Sequence, residues 1–389
     1  TTGMTAQVVV LGSGYAGAGA INSLESELGD EADITWISDV DYHLVLHEVH
    51  RCIKDPSVQE KITVPIDAIK SSDTRFVQGT VMDIDTDTRT VELEDEAPVE
   101  YDYLLLGIGS RTAFFGIEGL REHAHTLKSL DDALAIHDAV AAAAREATTS
   151  DPAEVVVGGA GLSGIQVAGE VAEYRDEARA PIDITLVEGL DNILPESDPE
   201  LQGALRSRLE ARDVRIETGE FVGKVDDERI YVGDDETMSY DVLVWTGGIT
   251  GREAMEHVTL DKDERSNRVR AETTFQTDDE RVFAIGDAAL VDQNGEPAPP
   301  TAQAAWQAAE LVGENVARQM RGQPLKTWKF KDKGTAISIG EEAVAHDVML
   351  LPISTFGGLP AKLLKKGIAA RWIADVSSVR RALRAWPDM

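Results

Sequence analysis

Short apolar runs alternate with stretches of helical period along this 389-residue chain, which predicts the strand–helix–strand units of an α/β fold. Gln7-Val-Val-Val-Leu11 reads as a buried strand, and the stretch carrying Ala20, Ile21 and Leu24 as the helix behind it. Ile34-Thr-Trp-Ile37 is the next strand. The order repeats with Val155-Val-Val157, a helix through Glu170 and Tyr174, and the strand Ile182-Asp-Ile-Thr-Leu-Val187. Strands are predicted over 75–84 and 89–93 around a turn at 85–88, and again at 101–107, 242–246 and 281–285. Helices are predicted over 126–145 and, after the proline break at 297–300, from about 301 to 320; residues 150–153 read as a linker.

What joins strand to helix carries the chemistry. Gly12-Ser-Gly14-Tyr-Ala-Gly17 follows the first strand, and Asp39 closes the second, 22 residues past Gly17. Gly159-Ala-Gly161-Leu-Ser-Gly164 follows the repeated strand, and Glu188 lies 24 residues past Gly164. In such a unit the first glycine makes the turn and the second lets backbone approach a pyrophosphate. The third lets the helix pack against the strand, and the acid receives a ribose diol. Two complete units, 147 residues apart at Gly14 and Gly161, imply two dinucleotides on one chain. An acid at the end of the second strand repels a 2′-phosphate, so NAD is expected rather than NADP.

Charge modifies this picture. The chain holds 37 basic and 70 acidic residues, a net charge of −33, which excludes a general nucleic-acid binder. Residues 1–317 carry −40 and residues 318–389 carry +7. With 42% hydrophobic residues the chain is not an acidic disordered tail. Adaptation to high salt fits an acidic body in which 13 lysines stand against 24 arginines, so a halophilic source is expected. Cys52 is alone, which removes any intramolecular dithiol centre and points to a reducing compartment. No apolar run reaches the ~18 residues of a membrane span, no signal peptide is evident, and Thr1-Thr2-Gly3 before Met4 reads as a cloning remnant. A soluble or peripheral protein is expected.

These residues resemble the two-dinucleotide-binding flavoprotein superfamily, and within it the chain is most similar to type II NADH:quinone oxidoreductases. The resemblance runs over roughly residues 7 to 350. It rests on both glycine turns, Tyr42-His43-Leu44, Tyr101-Asp-Tyr-Leu-Leu-Leu-Gly-Ile-Gly-Ser110, Phe115-Gly-Ile-Glu-Gly-Leu120 and Leu127-Lys-Ser-Leu-Asp-Asp-Ala133. Val244-Trp-Thr-Gly-Gly-Ile249, Val282-Phe-Ala-Ile-Gly-Asp287, Ala302-Gln-Ala-Ala-Trp-Gln307 and the segment 334–340 add to it. It implies an FAD-binding domain from 1–113 and 275–325, an NADH-binding domain from 114–274, and a C-terminal region, 326–389, for membrane association or dimerisation. It implies FAD contacts at Gly12, Gly14, Gly17, Asp39, Gly109, Gly286, Asp287 and Ala302, and NADH contacts at Gly159, Gly161, Gly164, Gln166, Glu188 and Gly247. Three departures stand out: Gly107-Ile108 where the family has Ala-Thr, Gln166 where it commonly has Glu, and Ala308 where it has a second glutamine.

Reduced flavin needs an electron acceptor, and a lone cysteine leaves no dithiol for the purpose. A membrane quinone is expected beside Ala302, Gln303 and Gln307, with Lys333 as a cation near the flavin; Gln303 and Gln307 also read simply as a polar stripe. His43, His47 and His50 share helical spacing with Glu48 and Cys52, yet packing near the flavin is the expected role and no metal is expected. In 356–389, Ala361, Leu364, Ile368 and Trp372 fall on one helical face with Lys362, Lys365 and Lys366 turned away. Val379, Leu383 and Trp386 make a second stripe. Such a basic amphipathic helix is expected to lie on the cytoplasmic face of the cell membrane; the other readings are that it meets a second copy of the chain or covers an acidic part of the body. The alternatives are a soluble NAD(P)H-dependent reductase of a small redox protein, and a slow flavin-binding sensor or scaffold.

Overall fold

The computed structural model describes residues 5–234 and 236–389; Thr1 to Met4, read above as partly a cloning remnant, lie outside the described residues. The run Val8-Val-Val-Leu11 is buried on both faces, as a central parallel strand requires. It sits in a five-stranded sheet ordered Val282–Ala284, Tyr103–Leu106, Ala6–Leu11, Ala32–Ser38, Arg75–Gln78, with every pairing parallel. A strand from near residue 283 thus completes a sheet begun at residue 6. The repeated unit builds a second parallel sheet, ordered Val214–Thr218, Ile182–Glu188, Ala153–Gly158, Val242–Trp245. Two Rossmann-like sheets are what the doubled motif predicts.

The five longest helices are, in chain order, α1 (Tyr15–Leu28), α2 (Leu130–Glu146), α3 (Leu162–Ala178), α4 (Ala302–Met320) and α5 (Leu359–Val376). Helices α1 and α3 each start at the second glycine of a glycine turn. Helix α4 packs on α1 through small residues: a Cβ on Gly19 would lie 2.7 Å from that of Ala309, and one on Gly313 2.4 Å from Ser23 Oγ. That approach holds the start of α4 beside the first glycine turn.

Three expectations change. The stretch 75–84 is two strands, not one: Arg75–Gln78 closes the first sheet, and after Gly79-Thr80 the strand Val81–Asp85 pairs antiparallel with Thr90–Leu93. The helix expected over 126–145 begins at Leu130, because Ser129 Oγ accepts from Asp132 N and caps it there. The largest change is at the C-terminus. Strands Thr335–Ile339, Glu342–His346 and Thr355–Gly357 form an antiparallel sheet, and α5 then packs into the body. Its buried positions are Ala361, Lys365, Ala369, Trp372, Ile373 and Val376. Ala361 and Trp372 of the expected stripe are buried together, but Lys365 points inward and Ile368 is exposed, the reverse of what was expected of those two. Packing decides this: Trp372 packs tilted against Tyr15 and edge-on against Trp306, and Lys365 finds the buried Glu48 carboxylate. Among the described residues no helix is long and apolar enough to cross a membrane.

Candidate functional site

Both glycine turns have the backbone their sequence predicts. Gly12 and Gly159 take φ of +97° and +89°, in the left-handed region open to glycine. A Cβ on Gly17 would lie 1.8 Å from Gly12 O, and one on Gly164 1.8 Å from Gly159 O, so each third glycine seats its helix on the turn. Gly14 and Gly161 face open space. Neither helix carries a side-chain cap at these glycines, which leaves the first N–H groups free for an anion. Helix α4 differs: Thr301 Oγ accepts from Ala304 N at 3.2 Å.

A cleft of about 1180 Å³ runs between these elements. It is lined by Gly12, Gly14, Asp39, Gly109, Gly286, Asp287 and Ala302 of the expected FAD contacts, by Gln166 of the NADH contacts, and by Gln303, Gln307 and Lys333. Gly17, Gly159, Gly161, Gly164, Glu188 and Gly247 lie outside its lining. Glu188 instead spans its own turn, accepting from Ala160 N at 2.8 Å and Leu190 N at 3.1 Å. Asp39 accepts from Arg252 Nη2 at 3.0 Å, a contact reaching across the cleft. Gln303 Oε1 accepts from Lys333 N at 2.8 Å and its Nε2 donates to Gly334 O at 3.2 Å. Gln307 bonds both backbone groups of Lys331 in the same way, at 2.8 and 3.0 Å. The two glutamines therefore strap 331–334 to α4, and the Lys333 side chain is exposed.

A buried polar wall adjoins this cleft. His47 and His50 line it, and behind them Glu48 is fully buried between Arg51 and Lys365 Nζ, the latter at 3.5 Å. Burial alone would raise the pKa of Glu48, but the two cations hold it far below the usual carboxylate range. Burial lowers Lys365 to about 8, against the pull of Glu48. Burial likewise brings His43 and His47 down to about 4, so both are neutral. The histidines do not share a helix: His43 lies in the strand Tyr42–Leu44 and His47 in a 3-10 turn. Each has its own partner. His43 Nδ1 donates to Ser13 O and its Nε2 accepts from Trp372 Nε1; His47 meets the Tyr15 hydroxyl, and His50 meets Ser338 Oγ. No metal-binding group of three or more ligands occurs among the described residues.

Residues 6–309 match the family model described as pyridine nucleotide-disulphide oxidoreductase. The chain belongs to that family. The type II NADH:quinone oxidoreductase of Staphylococcus aureus (strain NCTC 8325 / PS 47) is 28% identical over 398 residues, covering 97% of this chain and 98% of that protein. The fold matches the structure of NDH2 from Plasmodium falciparum in complex with NADH, with a TM-score of 0.84, 17% identity and 98% of each chain covered. It also matches the sulfide:quinone oxidoreductase of Aquifex aeolicus, with a TM-score of 0.78, 18% identity and 97% and 92% covered.

This pyridine nucleotide oxidoreductase has no partner for Cys52, which is buried and whose thiol burial pushes up to about 12. The residues present fit FAD: an open glycine turn, an acid at the second strand end, and a cradle around Asp287. Lys128 completes that cradle and was not singled out by sequence. Its Nζ lies 3.2 Å from Ser110 Oγ and 3.7 Å from Asp287, all three lining the cleft. The motif Leu127–Ala133 contains it, and a lysine next to an N-capping serine was the available signal. Trp306, also in the wall, likewise lay inside a motif, Ala302–Gln307, whereas Arg252 left no comparable mark.

Proposed function

We propose that the protein is an FAD-dependent oxidoreductase that takes a hydride from NADH and passes two electrons to a membrane quinone without pumping ions. The observation that carries this reading is a single cleft bordered by both Rossmann units and by the start of α4. A bound FAD supplies hydride acceptance; the protein supplies position and charge. Gly12, Gly14 and the free N–H groups of α1 would hold the diphosphate, Asp39 the ribose, and Asp287 with Lys128 and Ser110 the remaining polar chain. Leu162, Ser163 and Gln166 at the start of α3 would seat the nicotinamide, with the Gln166 amide bonding the carboxamide. Glu188 would hold an unphosphorylated ribose. Ala302, with Gln303 and Gln307 fixing 331–334, would form the quinone-side wall.

The name of the Staphylococcus aureus relative supports the quinone, as does apolar lining by Val348, Met349, Leu364 and Ile368. Nearby side chains support a membrane surface, which we place at the cytoplasmic face. Leu350 is 92% exposed, and Leu351, Ile353, Leu359, Leu363, Val379 and Leu383 are exposed with it. Lys362 and Arg371 on α5, and Arg380 and Arg384 after it, stand among them. Anaerobic stopped-flow mixing with NADH should bleach the bound flavin, and a quinone analogue should then restore its colour. Absent bleaching rejects NADH as donor, and bleaching without reoxidation rejects the quinone.

A further inference from the structure

Helix α3 brings Gln166 to the cleft and, one turn later, buries Glu170. Glu170 Oε1 has no hydrogen-bond partner, and the nearest basic group is His50 Nε2 at 3.9 Å. His50 lines the cleft, so a single imidazole separates this carboxyl from it. Around it stand groups from several elements: Glu48, Arg51 and the Cys52 thiol from the segment 46–54, Ser338 from the strand Thr335–Ile339, Lys365 from α5, and Glu173 on α3 itself. Lys365 Nζ donates to Ser338 Oγ at 2.7 Å, and that hydroxyl meets His50 Nε2 at 2.9 Å; burial, with Lys365 close by, holds the imidazole well below its usual pKa and so neutral. Within this cluster Arg51 and Lys365 are the cations and Glu48 the settled anion. Below about pH 8, where Lys365 keeps its proton, Glu170 therefore decides the sum over Arg51, Lys365, Glu48 and itself: neutral when Glu170 is ionised and +1 when it is protonated, with Glu173 paired to Arg212 at 2.7 Å and outside this sum.

We propose that Glu170 is a redox-linked proton store behind the His50 wall, taking a proton from solvent when negative charge arrives in the cleft. The proposal rests on the flavin reading above, but not on the identity of donor or acceptor. Burial raises the Glu170 carboxyl to about 7 against the opposing pull of Arg51 and Lys365, so both protonation states are populated near neutrality. In a poorly screened interior a new negative charge favours the +1 state of the cluster. The balance is simple. Two electrons enter the flavin, up to one proton beyond the flavin's own moves from bulk water to Glu170, according to how much of it is already protonated, and no bond to substrate forms or breaks there. Glu170 thus acts on the cleft by its charge.

Spectroelectrochemistry of the flavin-loaded protein tests this without NADH or quinone. The pH dependence of the midpoint potential reports protons taken up per two electrons. Between about pH 6.5 and 7.5, below the range in which Lys365 loses its proton, the wild type should take up on the order of half a proton more than Glu170→Gln. Equal uptake in the two proteins overturns the proposal. A second measurement uses the wild type alone: the reduced-minus-oxidised infrared spectrum should show a gain in protonated-carboxyl absorption that shifts in deuterium oxide, and a flat spectrum in that region also overturns it. Because an electrode supplies the electrons, failed turnover with NADH or quinone leaves both readouts intact, so the two ideas fail separately.

Discussion

Lys128 Nζ lies 3.7 Å from the Asp287 carboxylate, a mostly buried cation facing the acid that ends the segment Val282–Asp287. Burial lowers the pKa of Lys128, and Asp287 and Ser110 hold its proton in place. A hydrogen bond to a charged group is worth about 1.5–3 kcal/mol, so Lys128→Met should weaken FAD retention roughly 10- to 100-fold. The dissociation constant from flavin fluorescence checks this. Because the pKa is lowered, the wild type should begin to release FAD at a more moderate alkaline pH than an exposed lysine would allow. The Met variant should lack that step.

The two kinds of glycine in one turn should behave oppositely. A Cβ on Gly17 meets a carbonyl oxygen at 1.8 Å, so backbone must move. Overpacking of this sort costs about 1–3 kcal/mol or more, and Gly17→Ala should lower the Tm of the flavin-free protein. Gly14 has nothing within 4 Å. Gly14→Ala should keep that Tm and lose FAD affinity, because the methyl group fills the space a diphosphate needs.

Trp372 ties the C-terminal helix to the first glycine turn: its indole donates to His43 at 2.8 Å, and His43 donates to Ser13 O at 2.7 Å. Truncating a fully buried tryptophan costs about 3–5 kcal/mol. Trp372→Ala should therefore lower the Tm by many degrees and loosen FAD. Deleting 356–389 should do at least as much, so that deletion reports stability before it reports membrane binding.

The sequence discloses the two Rossmann units because each local signal, strand, glycine turn, helix and acid, is complete within some 35 residues and agrees with its neighbours. The burial of α5 is a different matter. Its apolar positions fit two faces equally well, and the inward one is chosen by partners more than 300 residues away, such as His43 and Glu48 for Trp372 and Lys365. A buried lysine is readable only once its carboxylate is in place. The spacing of His43, His47 and His50 misleads for the same reason: it has helical period, but a strand and a 3-10 turn supply the backbone. Lys128 was in view within a motif yet gained meaning only beside Asp287.

The membrane reading is best tested on side chains that hold nothing together. Leu359, Leu363, Val379 and Leu383 are 46–69% exposed. Changing all four to Ser should leave the Tm within about 1–2 °C, since exposed substitutions away from special features cost little. Co-sedimentation with anionic vesicles should fall roughly 10-fold or more, as about 0.8 kcal/mol is lost per buried CH₂. Reduction of a water-soluble quinone should persist. Undiminished vesicle binding would place the docking face elsewhere.

Salt should act on this protein in two opposite ways. A body of −40 repels itself in the folded state, and screening over ~3 Å at about 1 M salt relieves that cost. The Tm should therefore climb as KCl rises from about 0.1 to about 2 M, where a protein of balanced charge would change far less. The +7 segment meets an anionic surface by the same Coulomb term, so its electrostatic share of vesicle binding should fall over that range. Apolar insertion is not screened. If binding at high KCl survives in the wild type but not in the fourfold Ser variant, insertion holds the protein on the membrane. If high KCl removes the wild type as well, the basic residues do, and the exposed leucines have another purpose.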